Sequence, residues 1–450
     1  MRPRLAEHVL ARRHVIDGRE RVVLHDEARG DHLELSVEAW AVIAAADGSR
    51  DLAGIVLAAT RAGARATEAS VRGLLEQLAA RDALIEGVPE HAADVVTPRP
   101  RGPGVASLPV EALPEYRFSC HGRGGCCRAY GSILTTPHDR ARAQAAMPDC
   151  AIRTVPPQRW FTPAKGSAPT PLAVPFAHEG GCGFLGDDGL CEIHRRAGVQ
   201  AKPRACAAFP TIAASDGVSV RVSVTPECAC VLDSAADVDG ESLATGWAVG
   251  ADLPETTVID ALPEAVAVGP GVEWTPAQVR TAVDAALPRV EREDPAHACW
   301  SLADVWAGRS NTPPSLAPYM ALLRRRATDV LRRHAAWRPA GDWVLGCLRW
   351  LVGTLHLLED DELAQGVLAQ AAGDPVERLY VRASLWSYQG FTRRPVGAVL
   401  RRHAVKLWIA RVMAEVPLAP AEDAVPLAVL SMLLRGHGLQ RAWDQLDAPR

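Results

Sequence analysis

The stretch RHVIDGRERVVLHDE, residues 13–27, determines how the N-terminal part of the chain folds. Two short apolar runs flank Asp17-Gly18, a pair that favours a tight hairpin turn. Three segments with helical spacing and one with strand character follow: VEAWAVIAAA (37–46), DLAGIVLAATRAG (51–63), TEASVRGLLEQLAARD (67–82) and ALIEG (83–87). Ser36 is the candidate N-cap of the first helix. The sequence therefore predicts a winged-helix-like domain over residues 10–90.

Two pieces of this stretch, SVEAWAVIAAADGSRDLAGIV (36–56) and LLEQLAARDALIEG (74–87), resemble the PqqD-like family of small peptide-recognition domains. The resemblance rests on a helix that ends in a small-Asp-Gly turn and on a last helix that runs into a strand. It implies that a protein or peptide substrate adds as an extra strand beside the hairpin and packs against the third helix.

Composition limits the possible partners and the compartment. The 450 residues are 48% hydrophobic and 23% charged, and a net charge of −4 argues against nucleic acid or an anionic membrane as the main partner. The first residues lack an apolar run of signal-peptide length, and no 18-residue stretch is uncharged and apolar. We therefore expect a soluble, cytoplasmic protein without a membrane partner, whose thiols are reduced.

The rest of the chain divides by pattern into four parts. A proline-rich linker (91–116) leads to a cysteine-rich, loop-rich domain (117–235), an irregular connector (236–275) and a helical C-terminal domain (276–450). Thr275-Pro276 has the N-cap and N1 arrangement that opens a helix. Arginine-rich runs at 324–326, 332–333 and 401–402 are interpreted as solvated helix faces, with contact to phosphate or an acidic partner as the alternative. The predicted fold class is α+β, predominantly α.

Nine of the eleven cysteines lie between Cys120 and Cys230. In a reducing compartment this density favours metal or cluster ligation, with redox or catalytic thiols and disulfides as alternatives. The glycines of HGRGG (121–125) let the backbone wrap closely around a centre and offer N–H groups to its sulfur atoms. The spacing matches neither zinc ribbons nor bacterial ferredoxins. Cys150 is interpreted as structural, and Cys299 and Cys347 as buried helix residues.

The order of the cysteine motifs resembles the YkgJ-type cysteine-cluster family, which is zinc- or iron-chelating and includes the flagellin lysine N-methylases. The matching pieces are FSC (118–120) with CC (126–127), CGFL (182–185) with LCEIH (190–194), AGVQAKPRACAAFP (197–210) and ECAC (227–230). By this resemblance the metal-ligand pool is Cys120, Cys126, Cys127, Cys182, Cys191, Cys206, Cys228 and Cys230. The implied cofactor is an iron–sulfur cluster of the [4Fe-4S] type, with zinc as the alternative.

Two further residues are candidates for a catalytic role. His194 stands where many family members have tyrosine, and it could serve as a nitrogen ligand, a general base or a helix-face residue that bonds to the backbone. Lys202 is one of only three lysines in a chain with 46 arginines, so it is a candidate for a task that guanidinium cannot perform. No catalytic residue is assigned beyond these candidates.

Three hypotheses of function follow. The first is a modifier of a protein or peptide, by resemblance a lysine N-methyltransferase that uses S-adenosylmethionine, although the chain has no G-x-G-x-G signature for that donor. The second is a non-catalytic metal-binding accessory protein that delivers a peptide to a partner enzyme. The third is a thiol redox protein that uses Cys126 and Cys127.

Overall fold

The structure is a computed structural model that describes residues 2–6, 8–26, 29, 31–87, 108–129, 133–165, 172–236, 239–243, 259–370, 373–392, 394–421, 424–435 and 439. Of these residues about 49% are helical and about 18% lie in strands. The structure is thus mixed, with helix predominating, consistent with the predicted α+β class. Within the described ranges, no helix combines the length and apolar character needed to cross a bilayer.

The strands are β1 (Pro3–Leu5), β2 (Val9–Ile16), β3 (Arg19–Asp26), β4 (Asp31–Leu35), β5 (Leu84–Glu86), β6 (Val110–Ala112), β7 (Arg117–Phe118), β8 (Phe161–Lys165), β9 (Leu172–Pro175), β10 (Ala177–His178), β11 (Gly181–Cys182), β12 (Thr211–Ser215), β13 (Val220–Val224), β14 (Glu241–Ser242), β15 (Ile259–Ala261), β16 (Val266–Gly269) and β17 (Val272–Trp274). The helices are α1 (Val37–Ala45), α2 (Leu52–Arg61), α3 (Glu68–Ala79), α4 (Gly125–Ala129), α5 (Pro137–Ala146), α6 (Glu192–Ala197), α7 (Arg204–Ala208), α8 (Ala229–Asp233), α9 (Pro276–Arg292), α10 (Pro295–Trp306), α11 (Ala317–Ala335), α12 (Trp343–Leu357), α13 (Asp361–Ala369), α14 (Pro375–Trp386), α15 (Val396–Glu415) and α16 (Pro426–Arg435).

The chain folds into two compact units that each collect distant segments. Unit 1 comprises Met1–Thr97, Cys127–Ala207 and Val330–Leu345. Unit 2 comprises Pro98–Cys126, Ala208–Asp329 and Gly346–Arg450. The predicted cysteine-rich domain, 117–235, is therefore divided between the units.

Unit 1 is organised around a five-stranded sheet in the order β11-β10-β2-β3-β4. The predicted hairpin is confirmed as β2 and β3, and Asp17 and Gly18 at its turn both have positive φ. The three predicted helices are confirmed as α1, α2 and α3, and the side chain of Ser36 caps α1 by accepting from the Ala39 N–H. The strand predicted at ALIEG is confirmed as β5, which pairs with β1.

Two apolar clusters form the core of unit 1. The first lies beneath the hairpin and holds α1 to α3 through Trp40, Ile55, Val71 and Leu78, all buried. The second is built on Trp160, with Phe176, Phe184 and Ile193 among its members. Each cluster removes large apolar side chains from water, which stabilises the elements that contribute them.

Unit 2 contains a four-stranded sheet in the order β15-β12-β13-β6 and most of the C-terminal helices. Helix α15 is the central helix, because fourteen of its twenty residues are buried, and it packs on α10, α13 and α16. Thr275 and Pro276 open α9 with a capping box, as their types predicted. Cys299 and Cys347 are fully buried, which confirms their interpretation as core residues.

Three expectations from the sequence are wrong in part. The connector predicted to be irregular over 236–275 contains β15, β16 and β17, and the end of the predicted linker contains β6. Residues 91–107 of that linker lie outside the described residues. Arg402 is 6% exposed, so the run at 401–402 is not a solvated face. Strands β6 and β15 pair with the distant strands β13 and β12, and Arg402 is buried by packing, and neither effect has a local sequence signature.

Candidate functional site

Four of the eight predicted ligands, Cys120, Cys126, Cys228 and Cys230, lie in unit 2, and we call them the thiol cluster. Cys120 follows β7, and Cys126 lies in α4. Cys228 is the N-cap of the short helix α8, and Cys230 lies in its first turn. The thiol cluster therefore joins two segments that are about a hundred residues apart in the chain.

Two contacts hold the loop that carries Cys120 against α8. The guanidinium of Arg123 donates two hydrogen bonds to Asp233, at 2.7 and 3.1 Å. The hydroxyl of Ser234 accepts from the Ser119 N–H at 3.1 Å. Ser119 and Arg123 flank Cys120, so the clamp fixes the loop on both sides of that thiol.

The thiols interact with one another through hydrogen bonds. The pKa of Cys230 is held well below its usual range because the thiols of Cys120 and Cys228 donate to its sulfur. The backbone N–H groups of Arg123 and His121 also donate to this sulfur, and together these bonds outweigh the effect of burial. Cys230 is thus the most acidic thiol of the cluster.

The neighbouring thiols keep their protons. The pKa of Cys120 is raised by its bond to Cys230 and by burial. The pKa of Cys228 is raised by its contacts with Cys126 and then Cys230, and burial adds to the effect. Cys228 and Cys230 are 5% and 4% exposed, whereas Cys120 is exposed, so the thiol cluster has one side open to solvent.

The loop over the thiol cluster has the backbone form expected of an anion-binding loop. Gly122 and Gly124 have φ of +69° and +67°. The Gly122 N–H donates to the sulfur of Cys120, beside the two N–H groups that bind Cys230. Successive N–H groups that point into one concavity favour an anionic centre, and N–H···S bonds are a regular feature around thiolate-ligated metals.

The donor set fits a thiolate-bound metal in type and in number, since four cysteines are enough for zinc or for one iron–sulfur cluster. Among the described residues, however, no three His, Cys, Asp or Glu side chains are already arranged as the ligands of a metal ion. The thiols are joined by S–H···S bonds instead. A soft metal would have to displace those protons, so its binding would be coupled to proton release.

The other four predicted ligands, Cys127, Cys182, Cys191 and Cys206, lie in unit 1. Cys182 ends β11, and Cys191 is the N-cap of α6. Both pack against the apolar cluster built on Trp160, as does Cys150. Cys206 lies in α7.

His194 and Lys202, the two candidate catalytic residues, also lie in unit 1. The pKa of His194 is lowered by burial and by the charge of Lys202. The main chain at Lys202 is fixed because its carbonyl accepts from Arg142 at 2.6 Å, and Arg142 also pairs with Asp139. The structure thus places the two candidates near each other.

Sequence reasoning recognised the role of the glycines around Cys120 but missed the clamp. Arg123 and Asp233 are 110 residues apart, so no local signal connects them. A charged residue inside a glycine-rich cysteine motif was the one available indication that this side chain has a structural partner.

Comparison with known proteins leaves both resemblances as predictions. The chain matches no model of a known protein family, no curated protein and no solved structure.

Proposed function

We propose that the protein is a cysteine-ligated metalloprotein in which Cys120, Cys126, Cys228 and Cys230 hold the metal. The observation that carries the proposal is the chain of contacts among these thiols: Cys230 contacts Cys120 and Cys228, and Cys126 contacts Cys228. The sulfur of Cys230 also accepts two backbone hydrogen bonds. Cysteines that lose their protons in a partly buried site are unfavourable unless a positive charge balances them. A soft metal ion would supply that positive charge.

The proposed occupant is an iron–sulfur cluster of the [4Fe-4S] type, with a single zinc ion as the alternative. Both are anionic when bound by four thiolates, so both suit the N–H groups of His121, Gly122 and Arg123. Held by all four thiols, an iron–sulfur cluster would supply electron transfer, whereas zinc would supply structural stability. The residues of this chain hold the ligands in place through the clamp between Arg123 and Asp233.

The metal proposal is tested by anaerobic purification followed by iron, sulfide and zinc analysis and an absorption spectrum. We expect iron and sulfide in equal amounts and a broad visible band, and Cys230→Ser should remove both. Cys347→Ser is the matched control, because Cys347 is fully buried in α12. Unchanged metal content in the Cys230→Ser protein would refute the proposed ligand set, and one colourless zinc per chain would select the alternative.

We further propose that unit 1 presents a protein or peptide substrate for modification. The β2 side of the hairpin is already paired with β10 of the same chain, so among the described strands the edge on the β3 side of the hairpin is β4, and β11 forms the opposite edge. A groove of about 270 Å³ beside this edge is lined by Leu33 of β4 and Leu78 of α3. An added strand at β4 would find apolar contacts there and main-chain partners on β4.

The modification implied by the resemblance is N-methylation of lysine with S-adenosylmethionine as donor. The test is incubation of the metal-loaded protein with labelled donor and lysine-containing peptides, read by mass spectrometry. Methyl transfer by the wild-type protein that is lost in Leu33→Pro supports both the reaction and peptide binding at the β4 edge. Peptide binding without transfer favours the accessory role instead.

A further inference from the structure

A polar cavity of about 190 Å³ lies within unit 2, and its lining includes no cysteine of the thiol cluster, although Glu227 in its wall directly precedes Cys228. Its wall includes residues of β12, the turn before α8, the segment after α14, and helices α15 and α16. None of the hypotheses drawn from the cysteine motifs uses it. Charged and aromatic side chains meet there from five segments: the turn before α8, β15, α14, the segment after α14, and α15.

The charges around the cavity have a positive sum. Arg394, Arg402 and Lys406 line it together with the carboxylates of Glu227 and Asp260, so three formal positive charges face two negative charges. Arg402 is only 6% exposed, so its positive charge is held largely away from bulk water. A net positive, partly dry cavity attracts an anion more strongly than an exposed cationic surface does.

A buried tyrosine–histidine pair forms another part of the wall. The hydroxyl of Tyr380 and Nδ1 of His403 are 2.7 Å apart, and His403 is 5% exposed. Burial, with the charges of Lys406 and Arg402, holds the pKa of His403 well below its usual value. Burial and the neighbouring Cys299 raise the pKa of Tyr380 above its usual range. Both groups are therefore neutral, and we assign the tautomer in which Tyr380 donates to Nδ1.

In this tautomer Nε2 of His403 carries a proton that it can donate. Within the described part of the chain, this nitrogen has no hydrogen-bond partner. A buried N–H group without an acceptor is unfavourable, and in native proteins such groups usually meet water or a ligand. The Nε2–H group of His403 and the positive charges of the cavity therefore both favour the same kind of ligand, an oxygen acceptor with negative charge.

We propose that this cavity binds a small oxyanion, a carboxylate or phosphate group of a soluble molecule, through Arg402, His403 and Lys406. The chemistry of the two groups is shared, because both accept several hydrogen bonds and carry negative charge. The inference is independent of the metal, since none of these three residues belongs to the thiol cluster.

The experiment is calorimetric titration of the full chain with sodium phosphate and, separately, with sodium acetate, at constant ionic strength in chloride. At least one oxyanion should bind saturably with one site per chain. Lys406→Gln should weaken that binding at least tenfold. Arg325→Gln, which removes one charge from an exposed position of α11, should change it less than twofold.

A second measurement needs no variant. In NMR spectra of protein labelled with ¹⁵N at histidine, the chemical shift of Nε2 of His403 should change when the oxyanion is added. The chemical shift of its Nδ1 should remain that of a nitrogen that accepts a hydrogen bond. Binding of phosphate alone identifies a phosphate-bearing ligand, and binding of acetate alone identifies a carboxylate. Absence of saturable binding by both anions would overturn the proposal, as would equal losses in Lys406→Gln and Arg325→Gln.

Discussion

The clamp between Arg123 and Asp233 allows a quantitative test of how the thiol cluster is organised. Its two hydrogen bonds, at 2.7 and 3.1 Å, join the loop of Cys120 to the helix of Cys230. Asp233→Asn or Arg123→Gln removes the charge pair but leaves all four thiols in place. The same loop supplies the N–H groups that bind the sulfur of Cys230, so loosening it should weaken metal binding.

The size of the effect follows from the exposure of the pair. The side chains of Arg123 and Asp233 are 33% and 21% exposed. Exposed pairs contribute about 0.2 to 1 kcal/mol, and a bidentate, partly buried pair lies at the top of that range, near 1 kcal/mol. About 1 kcal/mol corresponds to roughly a fivefold change in dissociation constant. Each single variant should therefore lose about fivefold in metal affinity, and the double variant should lose no more than either single one.

The assay is anaerobic titration with Co²⁺, followed by the absorption of the cobalt–thiolate bonds, with Zn²⁺ as competitor. The matched control is Arg289→Gln with Glu293→Gln, an ion pair at 2.7 Å at the C-terminal end of α9, whose side chains are 30% and 45% exposed. The control should leave the affinity unchanged. Additive losses in the double variant, or unchanged affinity in both single variants, would refute the positioning role of the clamp. Failure of the wild-type chain to bind Co²⁺ would instead refute the metal site.

Two predictions concern stability. The carboxylate of Asp216 is fully buried; burial opposes its ionisation, but bonds from Ser219, Val218, Tyr388 and Arg280 lower its pKa below the ordinary value of 3.8. A carboxylate with a lowered pKa stabilises the fold at pH values above the ordinary pKa, so the free energy of unfolding should fall as the pH drops below about 4. In Asp216→Asn this fall should be less steep, and the variant should be roughly 3 kcal/mol less stable at pH 7. Equal pH slopes of the two proteins in urea denaturation would contradict the prediction. Trp160→Ala should lower the free energy of unfolding by about 3 to 5 kcal/mol, because the ring is fully buried and its Nε1 donates to the Val155 carbonyl at 3.0 Å. The control Leu57→Ala, at an exposed position, should lower it by less than about 0.5 kcal/mol. Similar losses in the two variants would contradict the assignment of Trp160 to the core.

Much of the secondary structure could be predicted from the sequence because its signals are local. Asp17-Gly18 fixed the hairpin turn, Ser36 fixed the start of α1, and Thr275-Pro276 fixed the start of α9. Each of these residues acts on backbone groups within a few positions of itself. Helix α10 was expected only as the helical pattern around Cys299, and its start was not predicted, although Asp294 and Pro295 have the N-cap and N1 types and its buried residues pack against α15.

The candidate site could be predicted only in part. The cysteine types and the glycines between them indicated thiolate ligation, and the N–H group of Gly122 does bind the sulfur of Cys120. The pool of eight was not resolved by spacing, because the thiols of Cys120 and Cys230 interact across 110 residues. The cavity of His403 was equally hidden, since its charged residues come from segments as distant as Glu227 and Lys406.

The sequence by itself determined the local elements, the supply of soft sulfur donors and the absence of a strong overall charge. The tertiary structure decided which thiols meet, that β10 pairs with β2, and that the arginine at 402 is buried. The physical reason is that caps, turns and helical spacing depend on neighbours in the chain. Strand pairing, burial and hydrogen bonds between thiols depend instead on contacts whose partners are set by how the whole chain packs.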